Sequence, residues 1–336
     1  MFMMKNVLVT GAAGFIGSNF VRYLLTTNKE IQIISLDKLT YAGNLKNLEN
    51  LPNNIRHTFV QGDICDQELI EQLIDQHKIN NIVHFAAESH VDRSIAGPKD
   101  FIQTNIMGTF SLLEAVRKTW LNTYKWSKSD CRFHHISTDE VYGTLNNDDP
   151  AFTETTSYAP NSPYSASKAG SDHLVRAYFH TYGLPVTTSN CSNNYGPYQH
   201  AEKLIPTVIR SCLKNEDIPV YGDGSNIRDW LYVWDHCVAI DQIIKNGNIG
   251  ETYNIGGNNE ISNINLVHNI CNLLNDIKPS HTDYKNLIRF VTDRPGHDWR
   301  YAINNAKIQR ELNWSPSYKM EQGLKDTIEF YLRYGF

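Results

Sequence analysis

The sequence predicts an α/β fold in which a doubly wound parallel sheet is covered by helices on both faces. Short β-branched segments alternate with amphipathic segments through the first half of the chain. A glycine-rich turn follows the first β-branched segment and opens the first amphipathic one. Because parallel strands need a crossover helix between them, this alternation favours a sheet that is buried on both faces. The 336 residues suffice for one large domain or two smaller ones.

Periodicity and helix-breaking residues place the individual elements. Strands are predicted at residues 5–10, 31–36, 55–61, 81–85, 133–137 and 185–189, and helices at 14–28, 66–77 and 100–121. Asn161, Ser162 and Pro163 are typical of a helix start, so a further helix is expected to carry Tyr164 and Lys168. Beyond residue 190, Pro, Gly and Asn interrupt shorter segments, which predicts a smaller C-terminal lobe over the carboxyl edge of the sheet.

Composition and charge exclude several classes of protein. The formal net charge of −5 gives no basic surface for nucleic acid. No apolar run reaches the roughly eighteen residues of a membrane-spanning helix, and the apolar start is too short for a signal peptide. The six cysteines are scattered without a C-x-x-C pair, which argues against a zinc site or a disulfide framework. We therefore expect a cytoplasmic protein with no nucleic acid, membrane or metal as a partner.

The glycine-rich turn indicates a dinucleotide site. Gly11, Gly14 and Gly17, with Phe15 and Ile16 between them, have the G-x-x-G-x-x-G spacing between a strand and a helix. Such glycines let backbone N–H groups at the positive helix end approach a pyrophosphate. A turn of this kind alone is weak evidence, since tight turns use glycine for other reasons.

Residues at the ends of the next strands strengthen this interpretation. Asp37 ends the second strand, where a carboxylate can accept hydrogen bonds from the adenosine ribose and would repel a 2′-phosphate. Asp63, followed by Ile64, is placed to reach the adenine amine, and the small residues in the segment 85–87 (Phe85, Ala86 and Ala87) allow a close approach. The predicted cofactor is therefore NAD rather than NADP. Residues 1–190 are predicted to form an NAD-binding domain of the Rossmann type, residues 191–336 a substrate-binding lobe, and residues 229–257 to return to the first domain.

Two groups of residues point to catalysis. Tyr164 and Lys168 lie four residues apart on a predicted helix and so share a face. Free tyrosine has a pKa of about 10, which a nearby ammonium lowers toward the range of a useful base. Thr138, Asp139 and Glu140 follow the fifth strand. Oxidation of a sugar needs only the tyrosine, so the two added carboxyl groups, as general acid and general base with separated pKa values, favour removal of water.

These features resemble the extended short-chain dehydrogenase/reductase family. More narrowly, several long segments, in chain order, are similar to those of dTDP-glucose 4,6-dehydratases. They are residues 86–94, 137–143, 193–197, 202–206, 228–233 and 293–298. The resemblance covers nearly the whole chain and implies conversion of dTDP-glucose into a 4-keto-6-deoxy sugar nucleotide and water, a step of deoxysugar biosynthesis.

The resemblance also implies a role for each catalytic residue. Tyr164 would take the C4 hydroxyl proton while the C4 hydride passes to NAD, and Thr138 would share a hydrogen bond with that oxygen. Glu140 would remove the C5 proton, Asp139 would protonate the departing C6 hydroxyl, and Lys168 would lower the pKa of Tyr164. Hydride return to C6 regenerates NAD, so NAD is expected to stay bound.

Further contacts are assigned on the same resemblance. The cofactor would also contact Lys38, Leu39, Thr40, Glu88, Ser89, Thr104, Tyr164, Lys168 and Asn194. The sugar nucleotide would contact Ser89, Thr138, Asn193, Lys203, Leu204, Pro219, Val220, Tyr221, Arg228, Asn263, Asp293, Arg294, Pro295, Gly296 and His297. Lys203 and Arg228 suit a diphosphate, and Tyr221 suits a pyrimidine. Family members are homodimers, so the helices near 100–121 and 163–182 are expected to pair across a two-fold axis.

Three alternatives stay open at this point. A UDP-sugar 4-epimerase or decarboxylase would keep Tyr164 and Lys168 but would not need Asp139 and Glu140. A GDP-mannose-type dehydratase typically uses NADP, against which Asp37 argues. A non-catalytic NAD-binding regulator would be expected to have lost the tyrosine, the lysine or the acid–base pair, and all are present. The base of the nucleotide, which could be thymine, uracil or cytosine, cannot be read from the motifs.

Overall fold

A seven-stranded parallel sheet forms the centre of the larger lobe in the computed structural model, which describes residues 4–293 and 295–336. The strands of the chain are β1 (Asn6–Thr10), β2 (Gln32–Asp37), β3 (His57–Gln61), β4 (Asn81–His84), β5 (Arg132–Thr138), β6 (Val186–Cys191), β7 (Asn193–Tyr195), β8 (Ile218–Tyr221), β9 (Ile227–Tyr232), β10 (Thr252–Ile255), β11 (Glu260–Ser262) and β12 (Ile288–Val291). The large sheet has the order β10-β6-β5-β4-β1-β2-β3, and every neighbouring pair is parallel. The predicted doubly wound fold is confirmed.

Helices cover both faces of this sheet. The α-helices of the described residues, in both lobes, are α1 (Phe15–Thr27), α2 (Gln67–His77), α3 (Val91–Ala96), α4 (Lys99–Phe101), α5 (Thr109–Val116), α6 (Pro163–Tyr182), α7 (Leu204–Lys214), α8 (Val233–Asn246), α9 (Asn263–Ile277), α10 (Ala306–Leu312) and α11 (Met320–Tyr334). Apolar residues of α1 and α8, such as Leu24 and Ile240, pack on one face. Residues of α2, α5 and α6, such as Ile70, Leu112 and Val175, pack on the other.

The segment predicted as one helix at 100–121 is a helix of varying pitch. Residues Ile102–Gly108 and Arg117–Thr123 form wide π-helical turns on either side of α5. The first wide turn places Asn105 in the interior, where its side chain exchanges hydrogen bonds of 2.9 and 3.0 Å with the backbone of Glu88. Apolar periodicity could not show this, because a π turn closes its hydrogen bonds over five residues instead of four and so rotates the residues that follow about the helix axis. Such turns occur often at functional sites.

The smaller lobe is built on two short sheets. In one, β9 pairs in parallel with β7 and antiparallel with β11; in the other, β8 and β12 are parallel. Helices α7, α9 and α11 enclose its core, in which Ile205, Leu266 and Ile328 are fully buried. Within residues 229–257, β9 belongs to this lobe, whereas α8 packs on α1 and β10 pairs with β6. The domain bounds stay a prediction.

The described residues offer neither a membrane-spanning helix nor a metal-binding cluster. No helix among residues 4–293 and 295–336 is long and apolar enough to cross a membrane. Within the same residues, no group of His, Cys, Asp and Glu is arranged to hold a metal ion.

Asp235 at the start of α8 fixes the segment that leads into α11. Its Oδ2 accepts hydrogen bonds from the N–H groups of Ser317 at 2.9 Å and Tyr318 at 2.8 Å, and its Oδ1 accepts one from Ser317 Oγ at 2.7 Å. Since an amide offers a single acceptor oxygen, Asp235→Asn is expected to lower the free energy of unfolding by about 2 kcal/mol. Urea unfolding measures this.

The matched control for this prediction is Asp276→Asn, at an exposed position of α9. Its unfolding midpoint should stay within error of the unsubstituted chain. Equal midpoints for both variants would show that the Asp235 hydrogen bonds add nothing to stability.

Candidate active site

A cavity of about 540 Å³ lies where the carboxyl ends of the large sheet face the smaller lobe. The residues that follow β1, β2, β3 and β4 line one side, and residues of α7, β8 and β9 line the other. Parallel sheets bind ligands at this edge, on either side of the point where the strand order reverses, which here is between β1 and β4.

The turn after β1 packs closely against the chain that follows β4. Gly11 has a φ of +66°, and a Cβ at this position would lie 2.6 Å from the backbone nitrogen of Ala86, so a side chain cannot be accommodated. Gly14 caps α1 without a side-chain hydrogen bond, and the first turn of α1 has no acidic residue. The N–H groups of this turn, in the wall formed by Phe15, Ile16 and Gly17, can therefore bind an anion.

Asp37 lies at the end of β2 in this part of the cavity. Its Oδ2 accepts a hydrogen bond from the N–H of Ala13 at 2.9 Å, and its Oδ1 accepts one from the N–H of Leu39 at 2.8 Å. Burial raises the pKa of this carboxyl, and the two N–H groups oppose that rise. They hold the carboxylate in one orientation, where it can accept hydroxyl donors.

Asp63 has a partner that sequence reasoning did not foresee. Its Oδ2 forms an ion pair of 2.7 Å with Lys38 Nζ, and its Oδ1 accepts a hydrogen bond of 2.9 Å from the N–H of Cys65. Both Asp63 and Lys38 line the cavity. Contact between Asp63 and an adenine amine stays a prediction.

Tyr164 lies in the first turn of α6. The helix begins with a capping box in which Ser162 and Ser165 exchange hydrogen bonds, with Pro163 at its first position. The phenol hydrogen-bonds with Thr138, and burial raises its pKa well above the ordinary value, with the Glu140 charge adding to this rise. Phenolate formation therefore depends on positive charge close by.

Lys168 supplies such a charge from the same face of α6. Its Nζ donates a hydrogen bond of 2.8 Å to the carbonyl oxygen of Ile136 on β5. The side chain is buried, and burial lowers its pKa. Tyr164 and Lys168 both line the cavity, together with Thr138 and Glu140.

The two carboxyl groups after β5 have different surroundings. Glu140 lines the cavity, whereas Asp139 is 2% exposed and lies behind the cavity wall. Burial raises the pKa of Asp139 well above its ordinary value, the charges of Glu140 and Asp229 add to the rise, and Arg228 opposes it. Among the described residues, its Oδ2 has no hydrogen-bond partner. These surroundings favour the protonated form of Asp139.

Cationic side chains occupy the wall on the side of the smaller lobe. Lys203 Nζ lies 3.4 Å from the carbonyl oxygen of Ser89, and Arg228 donates a hydrogen bond of 2.8 Å to the carbonyl oxygen of Asp298. Tyr221 is 43% exposed at the rim, and its ring centroid lies 6.4 Å from that of His297.

Most residues predicted for the site border the cavity. The further cofactor and substrate predictions that line it are Thr40, Ile64, Phe85, Ala86, Ala87, Glu88, Ser89, Thr104, Asn193, Asn194, Leu204, Pro219, Val220 and Asn263. Leu39, Asp139, Asp293, Pro295 and Gly296 do not line it, and Arg294 lies outside the described residues. Their roles in binding stay predictions.

Other residues of the wall were not assigned from the sequence. Cys191, Ser192 and Gln199 line the cavity although no motif spacing singled them out. The other unassigned residues lie within segments that carried the resemblance, so their neighbours in those segments could have indicated them; they are His90, Val91, Asp92, Glu202 and Trp230.

Comparison with known proteins places the chain in a family. The family profile described as GDP-mannose 4,6 dehydratase matches residues 8–327. A dTDP-glucose 4,6-dehydratase of Xanthomonas campestris is 56% identical over 331 residues, which cover 98% of this chain and 93% of the relative. The chain belongs to the dTDP-glucose 4,6-dehydratase family.

Solved structures of dTDP-glucose 4,6-dehydratases agree with this assignment. The Bacillus anthracis enzyme in complex with NAD has a TM-score of 0.86 at 47% identity, and the match covers 98% of this chain and 97% of the chain of that enzyme. The Streptomyces venezuelae enzyme, also with NAD bound, has a TM-score of 0.89 at 44% identity with the same coverage of both chains. The resemblance inferred from the motifs is confirmed.

The burial of Asp139 predicts a pH-dependent gain in stability on its replacement. Its pKa in the folded dehydratase is raised above the ordinary 3.8, so the native carboxyl holds its proton while the unfolded one releases it. Wild-type stability is therefore lost as pH rises above about 4 toward the folded-state pKa. Asp139→Asn, which carries no charge at any pH, should gain melting temperature over wild type at pH 7 and lose that gain near pH 4.

Thermal unfolding at a series of pH values measures this difference. Asp148→Asn, at an exposed position, is the control and should follow the wild type throughout. A gain for Asp139→Asn that is constant with pH would contradict a protonated Asp139.

Proposed function

We propose that this chain converts dTDP-glucose into dTDP-4-keto-6-deoxyglucose and water, as an NAD-dependent hydro-lyase of deoxysugar nucleotide biosynthesis. The observation that carries the proposal is a cavity wall formed by Tyr164, Lys168 and Glu140, behind which lies Asp139, a carboxyl group whose pKa burial raises well above its ordinary value. Oxidation or epimerisation alone would use Tyr164 and Lys168 and leave Asp139 and Glu140 without a task.

The residues around the β1 turn fit NAD. The tight turn at Gly11, where a Cβ would clash with the backbone of Ala86, and the uncapped N-terminus of α1 suit a pyrophosphate. Asp37, fixed by two N–H groups, suits the two free hydroxyls of the adenosine ribose and would repel a 2′-phosphate. When bound, NAD supplies a reversible hydride acceptor.

Tyr164 and Thr138 act on the C4 oxygen of the sugar. Tyr164 takes the C4 hydroxyl proton as a base, and Lys168 offsets the cost of a buried phenolate. Thr138, which hydrogen-bonds with the phenol, orients the same oxygen. The product of this step is a C4 ketone, which makes the C5 hydrogen acidic.

Glu140 and Asp139 then eliminate water. Glu140, in the cavity wall, removes the C5 proton, and Asp139 donates its proton to the departing C6 hydroxyl. Burial and the Glu140 charge raise the pKa of Asp139, which supports a protonated donor next to an ionised acceptor. Asp139 lies behind the wall, so its proton reaches the sugar through a rotation of the side chain or by way of Thr138, whose Oγ1 lies 3.3 Å from Asp139 Oδ1.

The cationic wall of the smaller lobe binds the nucleotide. Lys203 and Arg228 neutralise the diphosphate, and Tyr221 at the rim packs against the pyrimidine. Asn193 and Asn263 add polar contacts. All six cysteines are free, which fits a reducing compartment, and we place the enzyme in the cytoplasm.

The experiment that tests the function compares dTDP-, UDP- and CDP-glucose as substrates of the purified protein without added NAD. Alkali-induced absorbance of the 4-keto sugar measures the product, and dTDP-glucose should give the highest kcat/KM. A protein that forms product from none of the three nucleotide sugars is not a dehydratase.

The roles of Glu140 and Tyr164 are separated by two variants. Glu140→Gln should still oxidise C4 but should lose about 10²–10⁴-fold in solvent deuterium incorporation at C5, because the base is gone. Tyr164→Phe should lose the oxidation itself, so the transient absorbance of reduced cofactor should be absent. Glu321→Gln, exposed at the start of α11, is the control. Undiminished exchange at C5 in Glu140→Gln would assign the base to another residue.

The homodimer is proposed from an exposed apolar face beside α6. Ile102, Met107 and Phe110 are 46%, 43% and 37% exposed on the helical segment that packs against α6. A second copy related by a two-fold axis would cover this face with the same face of its own. Phe110→Glu together with Met107→Glu should therefore convert the dimer to a monomer in light scattering.

Ile55→Glu is the control for the dimer, since Ile55 is 92% exposed and lies before β3. It should leave the mass in solution unchanged. An unsubstituted chain that is already monomeric, or a double variant that stays dimeric, would contradict this interface.

A further inference from the structure

A buried carboxylate lies one helical turn beyond Lys168 and has no role in the reaction derived above. Asp172 Oδ2 accepts hydrogen bonds from Ser137 Oγ at 2.7 Å and from Tyr158 OH at 3.0 Å. Its Oδ1 lies 3.0 Å from His135 Nε2. A carboxylate in the interior is costly unless its oxygens are hydrogen-bonded and a cation is near, so this arrangement calls for an explanation.

The catalytic helix and β5 are joined at consecutive positions. Residues 164, 168 and 172 follow at intervals of four and share one face of α6. Lys168 donates to the carbonyl oxygen of Ile136, and Asp172 binds the side chains of His135 and Ser137 on either side of it. The lysine and the carboxylate are thus held by three consecutive residues of one strand, the lysine by the middle one and the carboxylate by the two on either side.

Few groups around Lys168 stabilise its charged ammonium form. Burial lowers its pKa, and among the described residues Asp172 and the Cys191 thiol oppose this. The rings of His84 and His135 lie close by, but burial holds the pKa of each well below its ordinary value, so both are neutral. Burial also raises the pKa of the Cys191 thiol to about 12, which leaves Asp172 as the one anion among these groups at neutral pH.

Asp172 is ionised under the same conditions. Burial raises its pKa to about 6, and Lys168, Ser137 and Tyr158 hold it from rising further. The other titratable groups that face it are His135, His173 and the phenol of Tyr142. Above pH 6 the carboxylate is therefore charged and can act on Lys168.

We propose that Asp172 is a positioning residue that keeps Lys168 protonated and aligned on β5, so that Lys168 retains its charge next to Tyr164. This rests on the proposed function, in which Tyr164 must become a phenolate. If Asp172 acted through its hydrogen bonds alone, its role would be structural, and it would simply link α6 to β5. The two roles differ in one respect, because only the charge of Asp172 affects the pH at which Lys168 loses its proton.

The pH profile of C4 oxidation distinguishes these roles. Asp172→Asn keeps the size of the side chain but removes the attraction that favours the ammonium, so the pKa of Lys168 falls and the alkaline limb moves to lower pH. Single-turnover cofactor reduction by dTDP-glucose should drop on the order of tenfold at about pH 9 and less than about twofold at pH 7. Tyr158→Phe removes a hydrogen bond but keeps the charge, so its alkaline limb should coincide with that of the wild type.

A direct titration of Lys168 gives a readout other than activity. In protein labelled with ¹³C at lysine Cε, the Lys168 resonance, assigned by its absence in Lys168→Arg, should titrate at lower pH in Asp172→Asn than in Tyr158→Phe. Should the Asn variant not fold, Asp172→Glu and Asp172→Gln replace it in both measurements, because these two side chains have the same size and differ only in charge.

The outcomes separate the two claims. An acid shift of the alkaline limb and of the Lys168 titration in the uncharged variant alone supports the proposal. A uniform loss at every pH, or identical titrations in the charged and uncharged variants, overturns it. A wild-type protein that reduces no cofactor with dTDP-glucose would instead refute the proposed function, while the Lys168 titration would still decide the role of Asp172.

Discussion

Burial of ionisable groups where β5 meets α6 is the constraint on which the rest of the site depends. Tyr164, Lys168, Asp139 and Asp172 have all lost most of their contact with water, and burial is the largest influence on the pKa of each. In that setting a charge persists only beside an opposite charge or several hydrogen-bond donors. The protonation state of each group is therefore set by its neighbours, and the neighbours are set by the packing of one helix on one strand.

The parallel sheet supplies the geometry for this packing. Strand ends of β1, β2, β4 and β5 reach the same edge, so the glycine turn, Asp37 and the residues after β5 border one cavity although they are far apart in sequence. The close approach of Gly11 to the backbone of Ala86 brings β1 and β4 together at the point where the strand order reverses. A side chain at position 11 would clash with the backbone of Ala86 and force these two strand ends apart.

Sequence reasoning succeeded where a local pattern has a local physical cause. The strand and helix periodicities gave element bounds within two residues for the first strands and helices, and the capping residues Asn161 to Pro163 marked the start of α6. The position of Asp37 at a strand end followed in the same way. These signals depend on neighbours in the chain, so one sequence contains them.

The sequence alone could not show contacts that form only when elements distant in the chain pack together. The ion pair between Lys38 and Asp63 joins the ends of β2 and β3, and the π turn at Asn105 depends on the backbone of Glu88. The spacing of Tyr164, Lys168 and Asp172 is visible in the sequence. The meaning of Asp172, however, depends on Ser137 and Tyr158, which no helical period connects to it.

The different burial of Asp139 and Glu140 also orders the proposed elimination. The charge of Glu140 is one reason why the pKa of Asp139 is high. In the proposed mechanism, uptake of the C5 proton by Glu140 would remove that charge, and the pKa of Asp139 would fall at the stage where it releases its own proton. A proton gained by one carboxyl would thus favour loss of a proton from the other, because the two interact through a medium that water screens poorly. Before C4 is oxidised the C5 hydrogen is not acidic, so the Glu140 charge would still hold the proton on Asp139 and oppose premature loss of the C6 hydroxyl.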